Sequence, residues 1–385
     1  MHWHTKQNRK PKSNKGITDN YAVMKKFRLK YFKILVLLAI TFETSFAGCQ
    51  TQEETSEVRN VIIMIGDGMG LSQVYAAYTS TQGNLAMFQF PVTGLLLTYS
   101  EDNYITDSAA GATAFACGEK TKNGSLGVDP KGNKLNNIFE IAHEKDWATG
   151  IVVTCEVTHA TPAAFYAHVN SRQENDAIAR DLAKANINLV IGGGQKYFSD
   201  TLQPQAPGKI LRNKGYRFSF SLDSLNDKSD KQICLLADSH LPPGALGRGD
   251  YLPRATEKAL QILSQHKNGF LLMVEGSQID WGGHQNSAEY MISETIDFDK
   301  AVSKALEFAQ KDKHTLVIVI ADHETGGVAL TGGDIKQGKV ETKFVSTDHT
   351  AVPTIVFAYG PKAYLFAGTH QNTEIFKLIK QILKW

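Results

Sequence analysis

Ser108 lies in Ile105-Thr-Asp-Ser-Ala-Ala-Gly-Ala-Thr-Ala-Phe115, where alanine and glycine crowd around one hydroxyl. A serine hydroxyl is a poor nucleophile at neutral pH unless a base, a metal or a lowered pKa activates it. No Gly-x-Ser-x-Gly motif surrounds this one. The chain offers instead a scattered set of Asp, His and Glu residues of the kinds that hold metals. That combination points to a metal-activated serine alkoxide.

Gly66-Asp67-Gly68-Met-Gly70 could cradle a phosphate, but its spacing is not that of a dinucleotide loop. A carboxylate in the turn also repels a bare phosphate, so Asp67 makes more sense holding a cation. The glycines would permit close backbone approach. Asp280 and His284 are separated by Trp-Gly-Gly, which reads as a tight loop folding the imidazole back on the carboxylate. That donor pair suits zinc, although an exposed acid and a chance histidine would give the same letters. Asp322 and His323 are adjacent, and neighbours within a strand face opposite ways. Both can reach one metal only if the strand has already ended. His349 alone would be structural; it gains weight because two metals need a further imidazole. Arg172, in Asn170-Ser-Arg172, is by itself a solvated charge, yet a guanidinium can grip two phosphate oxygens.

The elements that must position these residues are legible as apolar runs of strand length. They are residues 61–65, 151–153, 189–191, 233–236, 270–274, 316–320 and 354–357. Continuous apolar strands imply burial on both faces, as in a parallel sheet. Helical patterns occupy residues 72–81, 174–185, 254–265, 287–310 and 373–384. The alternation predicts one doubly wound α/β domain over residues 58–385 with helices on both faces of a large, mostly parallel sheet. Residues 195–250 read as a peripheral excursion. In open α/β sheets ligands bind beyond the carboxyl ends of the strands. Asp67, the 154–161 segment, the 275–284 segment and Asp322-His323 each follow or close such a run, and four coincidences make a strong pattern.

The first 48 residues read as a targeting segment. Lys25, Lys26, Arg28, Lys30 and Lys33 precede an apolar stretch, residues 34–42, too short to span a bilayer. Ser45-Phe-Ala-Gly-Cys49 is similar to a lipobox, predicting cleavage before Cys49, a lipid on its sulfur, and a tether over 49–57. The chain starts at Met1, with Met24 as a second candidate start. Residues 1–48 carry ten of the 41 basic and two of the 39 acidic residues. The remainder therefore has 31 basic and 37 acidic residues, a net −6, with no basic signature for nucleic acid. Beyond Cys49 the cysteines are Cys117, Cys155 and Cys234. An odd number at wide spacing is not a disulfide framework, and they read as small apolar residues.

Taken together the motifs resemble the alkaline phosphatases. The carrying segments are residues 66–70, 106–113, 120–129, 159–164, 274–280, 321–326 and 347–350, in family order across nearly the whole mature chain. The resemblance implies a phosphate monoester hydrolase with Ser108 as nucleophile and Arg172 gripping the phosphate. It implies two Zn2+, one held by Asp280, His284 and His349, the other by Asp67, Asp322, His323 and the Ser108 oxygen. It implies one Mg2+ held by Asp67, Thr161 and Glu275. The second zinc would activate Ser108, and the first would stabilise the leaving oxygen and ready the attacking water. His159 and Trp281, at the substrate side, stand where the best-studied bacterial pattern has Asp and Lys. An imidazole near the third site would tilt it towards zinc. The chain is short for the family, which implies trimmed peripheral insertions, and the family resemblance suggests a homodimer.

Two other readings compete. A phosphodiesterase or phosphonate monoesterase of the same superfamily would use Thr as nucleophile and lack the third site, so Thr161 and Glu275 count against it. A non-catalytic metal- or phosphate-binding lipoprotein would have lost the nucleophile or a ligand, and neither is lost.

Overall fold

The computed structural model describes residues 57–199, 203–226 and 228–385. The targeting segment, Cys49 and all but the last residue of the tether lie outside the described residues. Among the described residues no helix is long and apolar enough to cross a membrane.

The first half of the chain runs β1 (Asn60–Gly66), α1 (Leu71–Ser80), β2 (Val92–Leu97), α2 (Ser108–Cys117), α3 (Ile138–Glu144) and β3 (Ala148–Glu156). It continues through α4 (Ala160–Ala163), α5 (Asn175–Lys184), β4 (Leu189–Gly193), α6 (Pro207–Asn213), β5 (Arg217–Ser219) and β6 (Gln232–Leu235). The second half runs α7 (Tyr251–Leu263), β7 (Phe270–Gly276), α8 (Ile279–His284), α9 (Ala288–Asp312), β8 (Thr315–Ile320) and β9 (Glu324–Thr325). It ends with β10 (Val328–Asp334), β11 (Lys339–Phe344), β12 (His349–Thr350), β13 (Thr354–Tyr359), β14 (Gly368–Gln371) and α10 (Glu374–Leu383).

Ten strands form one sheet in the order β14-β2-β13-β8-β1-β7-β3-β4-β6-β5. Only β13 runs against the others, antiparallel to both β8 and β2. The centre is apolar on both faces, as its continuous apolar runs require. Along β1, Val61, Ile63 and Ile65 enter one core, while Ile62 and Met64 enter the other. Phe115, Phe165 and Phe366 fill the first core; Met69, Phe298 and Phe357 fill the second. The predicted α/β architecture is therefore the observed one.

Three details differ from the sequence reading. The 195–250 region is not wholly an excursion, because β5 and β6 extend the sheet to its edge. The strand at 354–357 is not the last, since β14 pairs with β2 beyond it. The stretch from Asp280 to His284 is helical, not a loop. Its glycines serve packing: a Cβ on Gly282 would lie 2.5 Å from the Met291 amide nitrogen, and one on Gly283 would lie 2.8 Å from the Thr325 carbonyl oxygen. Cys117, Cys155 and Cys234 are free and buried, as expected.

Candidate active site

The chemistry-bearing residues gather where β1, β3, β7 and β8 end. β1 and β7 run in register, with Ile65 opposite Glu275 and Gly66 opposite Gly276. The chain leaving β1 therefore carries Asp67 next to Glu275. β8 stops at Ile320, so the constraint on adjacent strand residues lapses for Asp322 and His323. Gly68 turns with φ 71°, and a Cβ there would sit 2.6 Å from Thr325 Oγ1 and 2.8 Å from Asp280 Cα. Its amide donates to Asp322 Oδ1 at 3.2 Å.

Ser108 opens α2. The cap is Asp107, whose Oδ1 accepts the Ala110 amide at 2.9 Å. All ten residues of this helix are buried, and the face at Gly111 leaves little room, because a Cβ there would lie 3.0 Å from Asp322 Cβ. The nucleophile's hydroxyl consequently sits 3.2 Å from His323 Nε2 and 3.4 Å from Asp67 Oδ1. His323 Nε2 is 3.4 Å from Asp67 and 3.3 Å from Asp322 Oδ2, so Asp67, Asp322, His323 and Ser108 converge.

A second group forms beside it. His284 Nε2 and His349 Nε2 lie 3.2 Å apart, and they are 3.3 and 3.5 Å from Asp280 Oδ1. Each ring is held from behind. His284 Nδ1 pairs with the Thr347 carbonyl at 2.7 Å and His349 Nδ1 with the Thr106 carbonyl at 2.9 Å. With Nδ1 donating to a carbonyl, each Nε2 faces the other ring and Asp280, so the two become ligands to a shared cation once their Nε2 protons leave. Thr325 Oγ1 donates to Asp280 Oδ1 at 2.5 Å and lies 3.2 Å from His323 Nδ1, linking the two groups.

The third group has Thr161 Oγ1 donating to Asp67 Oδ2 at 3.4 Å and also reaching Glu275. Glu275 and Asp322 each keep one buried carboxylate oxygen without a partner.

Electrostatics make the same point. Asp67 is raised well above the usual carboxylate range by burial, then by repulsion from Asp322, Asp280 and Glu275. Burial likewise raises Glu275 and Asp322, each to about 7. For Asp280 burial opposes ionisation, but hydrogen bonds from His284 and His349 outweigh it and hold the carboxyl well below its ordinary value. His284 is raised to about 9, chiefly by its bond to Asp280. Four carboxylates in one dry pocket cannot all ionise without added positive charge. Oxygen-rich and imidazole-rich donor sets with orphaned carboxylate oxygens fit divalent cations.

Arg172 reaches in from the loop before α5. Its Nη1 donates to Asp107 Oδ2 at 3.0 Å, and its Nη2 lies 3.5 Å from His159 Nε2. Burial, then the Arg172 charge, pushes His159 down to about 3, so this ring is neutral. Trp281 packs at 6.2 Å from His159, and His240 packs edge-on against Trp281 at 4.7 Å. All twelve residues singled out from the sequence thus fall in one region. Asp107, Thr325 and His240 were not singled out. The helix-cap position of Asp107 could have flagged it, whereas nothing near His240 in the sequence distinguishes it from the other histidines.

Residues 58–341 match the family described as alkaline phosphatase. Alkaline phosphatase 3 of Bacillus subtilis is 39% identical, aligned over 94% of this chain and 98% of its own length. The alkaline phosphatase of Escherichia coli is 33% identical over 84% of this chain and 86% of its own. Among solved structures, alkaline phosphatase from the Antarctic bacterium TAB5 superposes with a TM-score of 0.81 at 40% identity, covering 86% of this chain and 99% of that one. A variant of that enzyme has been solved with magnesium in a site called M3. The chain belongs to the alkaline phosphatase family. It is a phosphatase, a hydrolase of small phosphate monoesters. Its alignment with the Bacillus enzyme spans 459 positions against the 385 residues here, so that relative carries insertions this chain lacks.

Proposed function

We propose that this phosphatase works through a phosphoserine on Ser108, with two zinc ions and one magnesium held as the resemblance implies. The observation that carries this reading is the position of the Ser108 hydroxyl, within 3.4 Å of Asp67 and His323 among four buried carboxylates. Bound there, the three ions would supply the charge that lets a serine hydroxyl and a water ionise and that offsets charge on the departing oxygen. Asp280, His284 and His349 would hold the first zinc, Asp67, Asp322 and His323 the second, and Asp67, Thr161 and Glu275 the magnesium.

Ser108 Oγ forms a bond to phosphorus as the ester P–O bond breaks, and the alcohol leaves protonated. Water then attacks the phosphoserine, the Ser108 O–P bond breaks, and inorganic phosphate departs. Arg172, braced by Asp107, presents a planar fork to two phosphate oxygens. The amides at the start of α2 favour the same anion. His159 and Trp281 form the wall behind the phosphate.

The protein is exported, with residues 1–48 removed, Cys49 lipidated and residues 49–57 tethering a single catalytic domain, 58–385, that pairs as a homodimer. Mass spectrometry of the mature amino terminus and sedimentation of the purified protein test these points. For the chemistry, p-nitrophenyl phosphate turnover is measured with and without chelator. Chelation is expected to stop turnover, and Ser108→Ala to lower kcat by at least about 10³-fold. Turnover unchanged in Ser108→Ala sinks the phosphoserine mechanism. A bis-p-nitrophenyl phosphate rate above the monoester rate moves the enzyme to the diesterase class.

A further inference from the structure

Cys155 was expected to be an inert apolar residue, but its surroundings are not apolar. It stands near the carboxyl end of β3, where the pairing with β4 slips between Val152 and Glu156. Such irregularities re-aim side chains beside active sites. Up to that point β3 stays in register with β7, placing Val153 opposite Glu275. The slip leaves the Cys155 sulfur 3.5 Å from Glu275 Oε2 and 3.2 Å from the Glu156 carbonyl oxygen. The ligand atoms of Cys155, His159 and Glu275 all lie within 4.8 Å of one another.

A second observation is independent of the cysteine. His159 Nδ1 and Glu275 Oε1 are both buried and neither has a hydrogen-bond partner. Glu275 is fully buried, so its orphaned oxygen cannot turn to solvent. A buried polar atom without a partner costs about 1–3 kcal/mol, and here two residues grouped with the same thiol each carry one.

We propose that Cys155, His159 and Glu275 form a soft metal site that shares Glu275 with the oxygen-only set of Asp67, Thr161 and Glu275. This rests on the three-metal reading above and adds to it a ligand type that reading does not contain. The two sets share Glu275 and serve as alternative seats for a single third ion. Oxygen ligands favour magnesium, which keeps waters and demands octahedral geometry. Thiolate and imidazole favour zinc or cobalt. On binding, the sulfur–hydrogen bond breaks, a sulfur–metal bond forms, and the proton passes to solvent, with no change of oxidation state. The ion resident at the third position is then set by the relative supply of zinc and magnesium.

Cobalt reports on this directly, since a thiolate ligand to Co2+ gives a near-ultraviolet charge-transfer band that oxygen and nitrogen ligands do not. The full-length protein is stripped with chelator, titrated with Co2+, and followed by absorbance together with elemental analysis. The band is expected to grow with the third equivalent, to vanish in Cys155→Ser and Cys155→Ala, and to persist in Cys117→Ser and Cys234→Ser. In a mixture of zinc and magnesium, Cys155→Ser is expected to lower the bound zinc-to-magnesium ratio at the third position by about tenfold or more. Three bound ions with no band overturn the thiolate site and leave the three-metal reading intact, as does a band that survives Cys155→Ser. Fewer than three ions per chain overturn both. The wild-type spectrum decides the question even where a variant does not fold.

Discussion

Two clusters of buried charge differ in how they are balanced. Around α9, Arg248 pairs with Glu294 and, at 2.9 Å, with Asp297; Glu294 also accepts the Gly244 amide at 2.8 Å. Burial raises both carboxyls, and the adjacent guanidinium opposes that rise. At the strand ends, Asp67, Glu275, Asp280 and Asp322 share a pocket in which, among the described residues, no lysine or arginine is seated, and Arg172 reaches only its margin. The first cluster holds its own buried counter-charge, one guanidinium bonded to both carboxyls, and serves architecture. The second is left short of positive charge, which is the condition of a site built for something that arrives from outside. Both are buried and both are polar, so burial alone would not separate them; the charge count does.

Substitutions should drive the two clusters in opposite directions. The largest effect is expected from Asp322→Asn. Under the proposed mechanism this removes one ligand to the charge that activates Ser108, worth several kcal/mol, so kcat/KM for p-nitrophenyl phosphate should fall by about 10³-fold or more. The same change should raise the melting temperature of chelated protein, because it removes a repulsion; a lower melting temperature would break the comparison. Next comes Glu294→Ala, which strands the buried Arg248 and should cost about 3–5 kcal/mol in urea unfolding while leaving kcat of the folded enzyme unchanged.

The smallest effect is in pH. In the metal-free protein Asp322 and Glu275 titrate near 7 and His284 near 9, all above their unfolded values. Groups raised on folding stabilise below the unfolded pKa and lose that stabilisation as pH rises through the folded one. The depressed imidazoles His159 and His323 act the other way, but their contribution is complete by about pH 6.5, the ordinary histidine value. The melting temperature of chelated protein should therefore fall between about pH 6.5 and 9. The carboxyls lose their part mainly below pH 7, so most of this fall belongs to His284, and calorimetry that finds it flat or rising would mean that this imidazole does not hold its proton against Asp280 in the chelated protein.

Much of this site could be read from the chain because its ligands follow long apolar strands, and strand ends are where such sheets place their chemistry. Asp67, Glu275 and Asp322 were visible for that reason. What escaped is physical in kind. β2 and β14 lack long apolar runs and gain their place by pairing with residues far along the chain. α8 reads as a loop because its double glycine signals a turn, while the structure uses that glycine pair for close approach to Met291 and Thr325. His240 belongs to the site only because a turn before α7 brings it against Trp281. The role of Cys155 depends on a slip in strand register that no local pattern encodes.

The β10–β11 hairpin interrupts the segment that carries proposed metal ligands on both sides, Asp322 and His323 before it and His349 after it. Its base is closed by bonds from Val345 and Ser346 to the Gly326 carbonyl and from Gly326 to that of Asp348. Those bonds fix where His349 returns whatever lies between them. Lengthening a loop is cheap, about 0.6 kcal/mol per doubling. The turn at residues 335–338 is thus a graft point, where a recognition module could be spliced in to send the same catalyst to a new class of phosphate ester without resetting its geometry.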